Sequence, residues 1–550
     1  MALNDEQLIE AGIRSGLIDA QLVERFRLEA RRQRVSVLGM VQAHYRFPLS
    51  ALYRAVAEKM GVAFVDLQTL SVDGALLKKI PPSLVQRKLA LPMSDGEQTR
   101  LVVADPGDRG TIDSIQRLLG RVLPLAMADL ALLQLKVSQV TAGKGGQLGS
   151  TAVSADNETD LVALLDTIIR EAYFNRASDI HLLTEAGGLR VRLRVDGKLR
   201  DYPVEANAAV AAALVSRVKV LSGLDIAEQR QPQDGGFTYH LSPPIDKAFN
   251  IRVATAPTRL GERITMRLLG QEASGLTLTD LGMMEEDLRR FRQAIHKPYG
   301  MILLTGPTGS GKSTTLFAAL QEINRPDINI MTVENPIEYV MDGVSQVQTG
   351  PKINFADALR SFLRHDPDVL MVGEIRDHET ADVAVKAAMT GHLVFSTLHT
   401  NNAVSAVTRL IDIGCEPFLI GSTMAAVIAQ RLVRRLCEHC RRPRWATEQE
   451  LLELGAPDQQ VQIFEPVGCV VCQGAGFRGR LGLFETLWFD EKLARLVERG
   501  ADEEALEAIA GERLQFMWED GCRKVRLGLT TLDEVRDVAV RKTRDMFALS

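Results

Sequence analysis

GMILLTGPTGSGKSTTLFAAL, residues 300–320, reads as a buried strand, a glycine-rich loop and a helix in immediate succession. The run MILLT is continuously apolar, as a parallel strand covered on both faces should be, and LFAAL opens an apolar helix. Between them Gly306 to Thr314 spell GPTGSGKST. Glycines let backbone N–H groups curl around phosphate oxygens, and the helix N-terminus behind them adds its partial positive charge. Gly306, Pro307, Thr308, Gly309, Ser310, Gly311, Lys312, Ser313 and Thr314 are therefore expected to cradle a nucleoside triphosphate. Lys312 would reach the outer phosphates, and Ser313 would place its hydroxyl on magnesium, so ATP and Mg2+ are the expected cofactors.

Outward from this loop the pattern repeats. NIMTVE, DVLMVGE and HLVFSTL are further short apolar runs separated by helical stretches, the mark of an α/β sheet with both faces covered. The run VLMVG delivers Glu374 at its carboxyl end, where ligands of open α/β sheets bind. A carboxylate there orders an attacking water or holds magnesium through water; the alternative is a structural salt bridge with Arg376 or Arg364.

A chain of 550 residues exceeds one hydrophobic core, so several modules are expected. The stretch TAGKGGQLGSTAVSADNETD at 141–160 has no apolar periodicity and reads as a flexible linker. It separates an N-terminal α+β domain at 1–140 from a second α+β domain at 161–281, where LRVRLRVDG alternates charged and apolar residues with period two. The α/β engine spans 282–435, and a C-terminal region spans 436–550. No apolar run is long enough to span a bilayer, and the N-terminus lacks the basic flank and apolar block of a secretory signal, so a cytoplasmic location is expected. A formal net charge of -5 gives no support to bulk nucleic-acid binding.

Cys437 and Cys440 in CEHC, with Cys469 and Cys472 in CVVC, form two CxxC pairs. In a reducing compartment that arrangement brings four thiolates to one tetrahedral zinc, against paired disulfides or free thiols. Cys415 and Cys522 lack partners at such spacing and read as packing residues.

LRHDPDVLMVGEIRDHETADVAVKAAMTGHLVFSTLHTNNA, downstream of GPTGSGKST and TVENPIEY, resembles the secretion superfamily ATPases, in particular the assembly ATPases of type II secretion and type IV pili. The resemblance runs from about Asp160 to the end of the chain. It implies a multidomain α/β chain: a RecA-like P-loop ATPase core, α+β N-terminal domains (the second PAS-like) and a tetracysteine zinc module. It makes GPTGSGKST the Walker A loop, Glu374 the catalytic carboxylate of an atypical Walker B strand, TVENPIEY the aspartate box and GHLVFSTLH the histidine box. Glu334, His392 and His399 inherit roles in this way; Glu334 also closes an apolar strand and would face the same phosphate as Glu374. For His399 the alternative is a core-edge histidine bonded to a backbone carbonyl. The family usually carries Asp where Asn335 stands; if that carboxylate helps bind magnesium, the alternatives are slower hydrolysis or a load resting on Glu334 and Glu338.

ASDIHL, VRLRVDG, RQPQDGG and RVATAPTRLGERITMRLL resemble the family's second N-terminal domain, which packs on the neighbouring subunit and lends arginines to its nucleotide. Arg217, Arg230, Arg252 and Arg267 are candidates, with Arg360 and Arg364 inside the engine; a surface ion pair is the alternative for each. The resemblance thus implies a homo-hexamer that powers pseudopilus or pilus assembly, peripherally associated with the inner membrane through platform proteins. In some members the first domain docks on the platform; in others it binds cyclic di-GMP through an Arg-Leu-Gly motif, which RVSVLGMV at 34–41 interrupts. Platform docking is expected, with Arg25, Arg27, Arg31, Arg32 and Arg34 facing an acidic partner, a dinucleotide or anionic lipid, or simply solvent. The tetracysteine module and the extra N-terminal domain favour assembly over pilus retraction. A nucleic-acid translocase and a nucleotide-binding regulatory subunit are the rival readings.

Overall fold

The computed structural model describes residues 3–33, 35–65, 67, 70–96, 98–130, 133–134, 136–137, 140, 158–202, 204, 206–241, 247–270, 276–510 and 513–542. Arg34 and residues 141–157 of the expected linker lie outside these. Two compact units divide the chain: residues 1–271 with 468–474, and residues 272–467 with 475–550.

The first unit holds two sheets. In the five-stranded one, β1 (Ala63–Phe64), β2 (Ser71–Val72), β3 (Ala90–Ser94), β4 (Thr99–Val103) and β5 (Leu125–Met127) lie in the order β1-β5-β4-β3-β2. The six-stranded one is β6 (Ala177–Glu185), β7 (Gly188–Val195), β8 (Lys198–Tyr202), β9 (Gln233–Leu241), β10 (Lys247–Thr258) and β11 (Gly261–Leu268), ordered β8-β7-β6-β11-β10-β9 and antiparallel throughout. Buried and exposed residues alternate along β10, because only one face is covered. That face packs Ile251, Val253, Ile264 and Met266 against Ile168, Ala172, Leu214 and Val218 of the helices Glu158–Phe174 and Ala208–Leu221.

The second unit is built on an eight-stranded sheet ordered β14-β13-β15-β16-β12-β17-β20-β21. Its strands are β12 (Gly300–Thr305), β13 (Ile330–Glu334), β14 (Val344–Gln348), β15 (Val369–Val372), β16 (Leu393–Leu398), β17 (Met424–Leu436), β20 (Phe477–Trp488) and β21 (Leu514–Gln515). A separate ribbon pairs β18 (Arg442–Trp445) with β19 (Gln462–Glu465). The first six sheet strands are mutually parallel; β20 returns antiparallel to β17 and β21 pairs antiparallel with β20, so the sheet continues across position 435 into the C-terminal region.

Side-chain alternation divides the apolar strands between two cores. Met301, Leu303, Val333, Leu370, Val372 and Val394 enter one, while Ile302, Leu304, Ile330, Val369, Met371 and Phe395 enter the other. Every residue of β12, β15 and β16 is therefore buried, which is why these runs are uninterrupted in sequence. Cys415 and Cys522 belong to the first of these cores, as packing residues should.

One buried ion pair fastens β20 to the helix Met517–Arg526. Asp520 accepts from the Phe484 amide at 2.9 Å, and Lys524 donates to Asp520 and, at 2.7 Å, to the Gly482 carbonyl. Both side chains are sealed from solvent. Burial pushes Asp520 up and Lys524 down, against their mutual attraction. Replacing Lys524 with Met keeps the stem and leaves the carboxylate buried alone, so denaturant unfolding should show a loss of about 3–5 kcal/mol. A change below about 1 kcal/mol would mean the pair contributes nothing that packing does not supply.

Candidate active site

Parallel strands put their carboxyl ends along one edge of the sheet, and the loop after Thr305 sits at that edge. Two of its glycines are obligatory. Gly306 has φ +145, and a Cβ there would lie 2.5 Å from the Gln430 carbonyl oxygen and 3.0 Å from Arg431 Nη1; Gly311, at φ +88, would bring a Cβ to 2.7 Å from Gln430 Nε2. The loop is thus clamped against β17, and Thr315 Oγ1 completes the clamp by donating to Gln430 Oε1 at 2.8 Å. On the other side Thr305 Oγ1 accepts from the Thr400 amide at 2.9 Å, tying the loop base to the segment after β16.

Lys312 opens the helix Lys312–Ile323 and is buried. Its ammonium donates to the carbonyls of Gly306 at 2.7 Å and Pro307 at 3.1 Å. Burial draws its pKa down to about 8, Glu374 and Glu338 oppose that shift, and Arg431 adds to it. Ser310 Oγ is buried against the same loop and has no hydrogen-bond partner among the described residues, while Pro307, Thr308, Gly309 and Ser313 are exposed. Gly306, Gly311 and Thr314 complete the nine-residue turn.

Glu374 follows β15 and meets two groups: Arg376 Nη2 at 2.6 Å and His399 Nε2 at 3.4 Å. The salt bridge weighed as the alternative reading of Glu374 is therefore present, with Arg376; Arg364 instead donates to the Arg360 carbonyl at 3.0 Å. Glu334, at the end of β13, accepts from Thr332 Oγ1 at 2.7 Å and Gln346 Nε2 at 2.9 Å, and burial pushes its pKa up. Asn335 is exposed beside it.

His392 is not brought to this edge. Its carbonyl pairs with the Gly300 amide at the start of β12, and its Nδ1 lies 3.0 Å from the Ala387 carbonyl oxygen. The six-residue strand β16 separates it from His399, roughly 20 Å at about 3.3 Å per residue. The histidine box joins two residues at opposite ends of one strand, and only His399 stands with Glu374.

The arginine candidates of the first unit are spread over its second sheet and flanking segments. Arg267 donates to Asp179 at 2.9 Å, and Arg252 is its register partner on β10. Arg217 lies on the helix Ala208–Leu221 and Arg230 is exposed in the segment before β9. In the second unit Arg360 is paired with Glu379 at 2.8 Å and Asp357 at 3.3 Å. Near the N-terminus, Arg25, Arg27, Arg31 and Arg32 share the helix Ala20–Gln33; Arg27 is paired with Glu6 and Glu24, and the other three are exposed.

The four sulfurs of Cys437, Cys440, Cys469 and Cys472 all lie within 4.8 Å of one another. Cys469 and Cys472 are 3.8 Å apart, far from the roughly 2 Å of a disulfide and equal to the tetrahedral edge that Zn–S bonds of about 2.3 Å generate. The donor set and its spacing fit a tetrahedral metal.

Sequence reading missed Gln430 and Arg431. The available signal is that this polar pair interrupts the apolar run MAAVIA…LV on β17.

A glycine loop between parallel strand and helix, with a buried lysine and a carboxylate–histidine pair on the adjoining strand ends, defines a P-loop nucleotide hydrolase. Residues 154–537 match the Type II/IV secretion system protein family, and residues 60–147 match the MshEN domain. The Type II secretion system protein E of Aeromonas hydrophila is 48% identical over 398 residues, 72% of this chain and 77% of that one. The Type II secretion system ATPase E of Vibrio cholerae is 46% identical over 389 residues, 70% and 76% of the two chains. The Type IV pilus assembly ATPase PilB of Myxococcus xanthus is 36% identical along 96% of this chain and 98% of its own. The ATPase DotB of Legionella pneumophila shares the fold, with a TM-score of 0.52 at 22% identity over 71% of this chain and 97% of that one. The chain belongs to the type II/IV secretion system protein family, and it is an ATPase of the secretion superfamily.

A buried ammonium facing only carbonyls should titrate far below a surface lysine. In the nucleotide-free protein Lys312 is expected to lose its proton near pH 8, and pyrophosphate should raise that midpoint because an anion favours the charged form. The pH dependence of Lys312 amine labelling checks this; an ordinary midpoint near 10.4 would refute the burial argument.

Proposed function

We propose that this chain binds ATP with Mg2+ in the loop Gly306–Thr314 and hydrolyses it as one subunit of a hexameric motor that drives pseudopilus or type IV pilus assembly. The observation that carries the reading is the buried, carbonyl-held Lys312 at the helix N-terminus with Glu374 and His399 on the adjoining strand ends. Lys312 and the loop amides bind the outer phosphates, and Ser313 offers its hydroxyl to magnesium. Glu374 orients and deprotonates the attacking water, His399 positions Glu374, and Glu334 contributes a second carboxylate to the metal's surroundings. Arg217, Arg230, Arg252 and Arg267 are the pool from which a neighbouring subunit receives a charge-stabilising arginine.

Two relatives named for type II secretion and one named for pilus assembly support the machine, and a chain that matches both sorts fits an engine common to them. Among the described residues no helix is long and apolar enough to cross a membrane, so attachment to the inner membrane runs through platform proteins, with the first N-terminal domain as the docking module. We keep the division at 1–140, 161–281, 282–435 and 436–550 as functional modules. Cys437, Cys440, Cys469 and Cys472 hold a structural zinc that folds the segments between them.

Phosphate release by the full-length protein tests the active site. Glu374→Gln should lower kcat by about 100-fold or more while ATP still binds, whereas Lys312→Ala should abolish binding itself. Unchanged turnover in both variants would end this reading. For the metal, Cys437→Ser should reduce zinc from one per chain to a substoichiometric level and lower the melting temperature; full zinc content in that variant would exclude the four-sulfur site.

A further inference from the structure

Arg431 sits on β17 against the phosphate loop, with Nη1 at 3.0 Å from where a Gly306 side chain would begin. Its guanidinium donates to the Gln430 carbonyl at 3.1 Å, to the Asn401 carbonyl at 3.1 Å and to Asn401 Oδ1 at 3.4 Å. None of these acceptors is charged. Burial draws its pKa down, opposed by the charge of Glu485, whose carboxylate accepts from the Ala403 amide at 2.8 Å. Arg431 is thus a half-buried cation beside a buried lysine, and among the described residues its bonds to the loop side and to a second segment go to neutral acceptors.

That second segment is 399–402. It is four residues long and fixed at three consecutive points: His399 to Glu374 at 3.4 Å, Thr400 to Thr305 at 2.9 Å, and Asn401 to Arg431. Asn402 then caps the helix Ala403–Ile413 by accepting from Ser405 at 2.6 Å. With so short a tether, displacement of Asn401 is passed to His399 two residues away. An anion entering the loop offers the guanidinium a charged acceptor, and such bonds are about twice as strong as those to neutral oxygens.

We propose that Arg431 is a positioning residue for ATP hydrolysis, coupling occupancy of the phosphate loop to the placement of His399 against Glu374 through its grip on Asn401. This rests on the reading of Gly306–Thr314 as the ATP site. Lys cannot replace Arg here, since one ammonium lacks the planar fork that reaches Gln430 and Asn401 together.

Steady-state ATP hydrolysis by full-length wild type, Arg431→Lys, Arg431→Ala, Asn401→Ala and the double variant Arg431→Ala/Asn401→Ala decides the matter, with Lys312→Ala as the binding control. The expected result is a kcat loss of about fivefold or more in each single variant with KM within about threefold, and a double variant no worse than about twofold below the poorer single. A smaller kcat loss, losses that multiply, or KM rising in step with kcat falling would overturn the coupling. Should the Arg431 variants fail to fold by thermal melting, Asn401→Ala, at an exposed position, decides alone by the same fivefold threshold in kcat. If wild type itself neither binds nor hydrolyses ATP, the site reading falls and takes the coupling with it; if wild type turns over and Lys312→Ala does not, only the coupling is at stake.

Discussion

A single ammonium, buried among backbone carbonyls, sets the terms for the second unit. Lys312 can occupy that position only because the loop before it turns through conformations open to glycine and because β17 closes over it with a polar pair. Taking a cation out of water without a carboxylate partner is costly, and the drop of its pKa to about 8 is the visible form of that cost. Arg431 deepens it from one side while Glu374 and Glu338 relieve it from the other. The loop is therefore locally electropositive, and it sits at the edge where the parallel strands of the sheet all end.

How far the sequence revealed this depended on whether a feature was local. The strand–loop–helix at 300–320 was legible because its three parts are contiguous and each has its own physical signature. The apolar runs of β13, β15 and β16 were legible because both faces are buried, which leaves no polar residues to break the pattern. The cysteine pairs were legible by spacing, and the sulfurs do converge. What escaped was long-range. Gln430 and Arg431 lie more than a hundred residues from the loop they clamp, and nothing local announces a partner for them. His392 and His399 are the converse: close in sequence, yet an extended strand of six residues carries them to opposite edges of the sheet. The return of β20 beside β17 was equally hidden, since an antiparallel strand entering a parallel sheet is fixed by tertiary pairing rather than by its own composition.

The two units solve the problem of a polar interior differently. The six-stranded sheet has one solvated face, so charged residues such as Arg190 and Asp201 pair in the open and alternate with apolar neighbours. A deep pair, Lys219 with Glu262 at 2.9 Å, joins a helix to β11 and also satisfies the Glu228 carbonyl. In the second unit some charged groups lie inside and bind segments remote in sequence, as Arg434 does with Glu534 and Lys524 with the β20 backbone. Such pairs add little over a well-packed apolar replacement, but removal of one member leaves the other buried alone.

The same logic explains the hydroxyls embedded in β16. Ser396 and Thr397 interrupt an otherwise apolar strand, and both are buried. Ser396 Oγ donates to the Val372 carbonyl at 2.9 Å and Thr397 Oγ1 to the Gly373 carbonyl at 2.7 Å, while the Gly373 amide bonds to the Val333 carbonyl at 2.8 Å on the other side. The Ile375 amide returns to the Thr397 carbonyl at 3.0 Å. The backbone flanking Glu374 is thus held from both neighbouring strands, past the point where the regular ladder of β15 ends. The role proposed for Glu374 needs this fixity, because an error of an ångström in a reacting group costs more than most single contacts contribute. Residues that look like blemishes in one buried strand hold the backbone that carries Glu374 at the end of its neighbour.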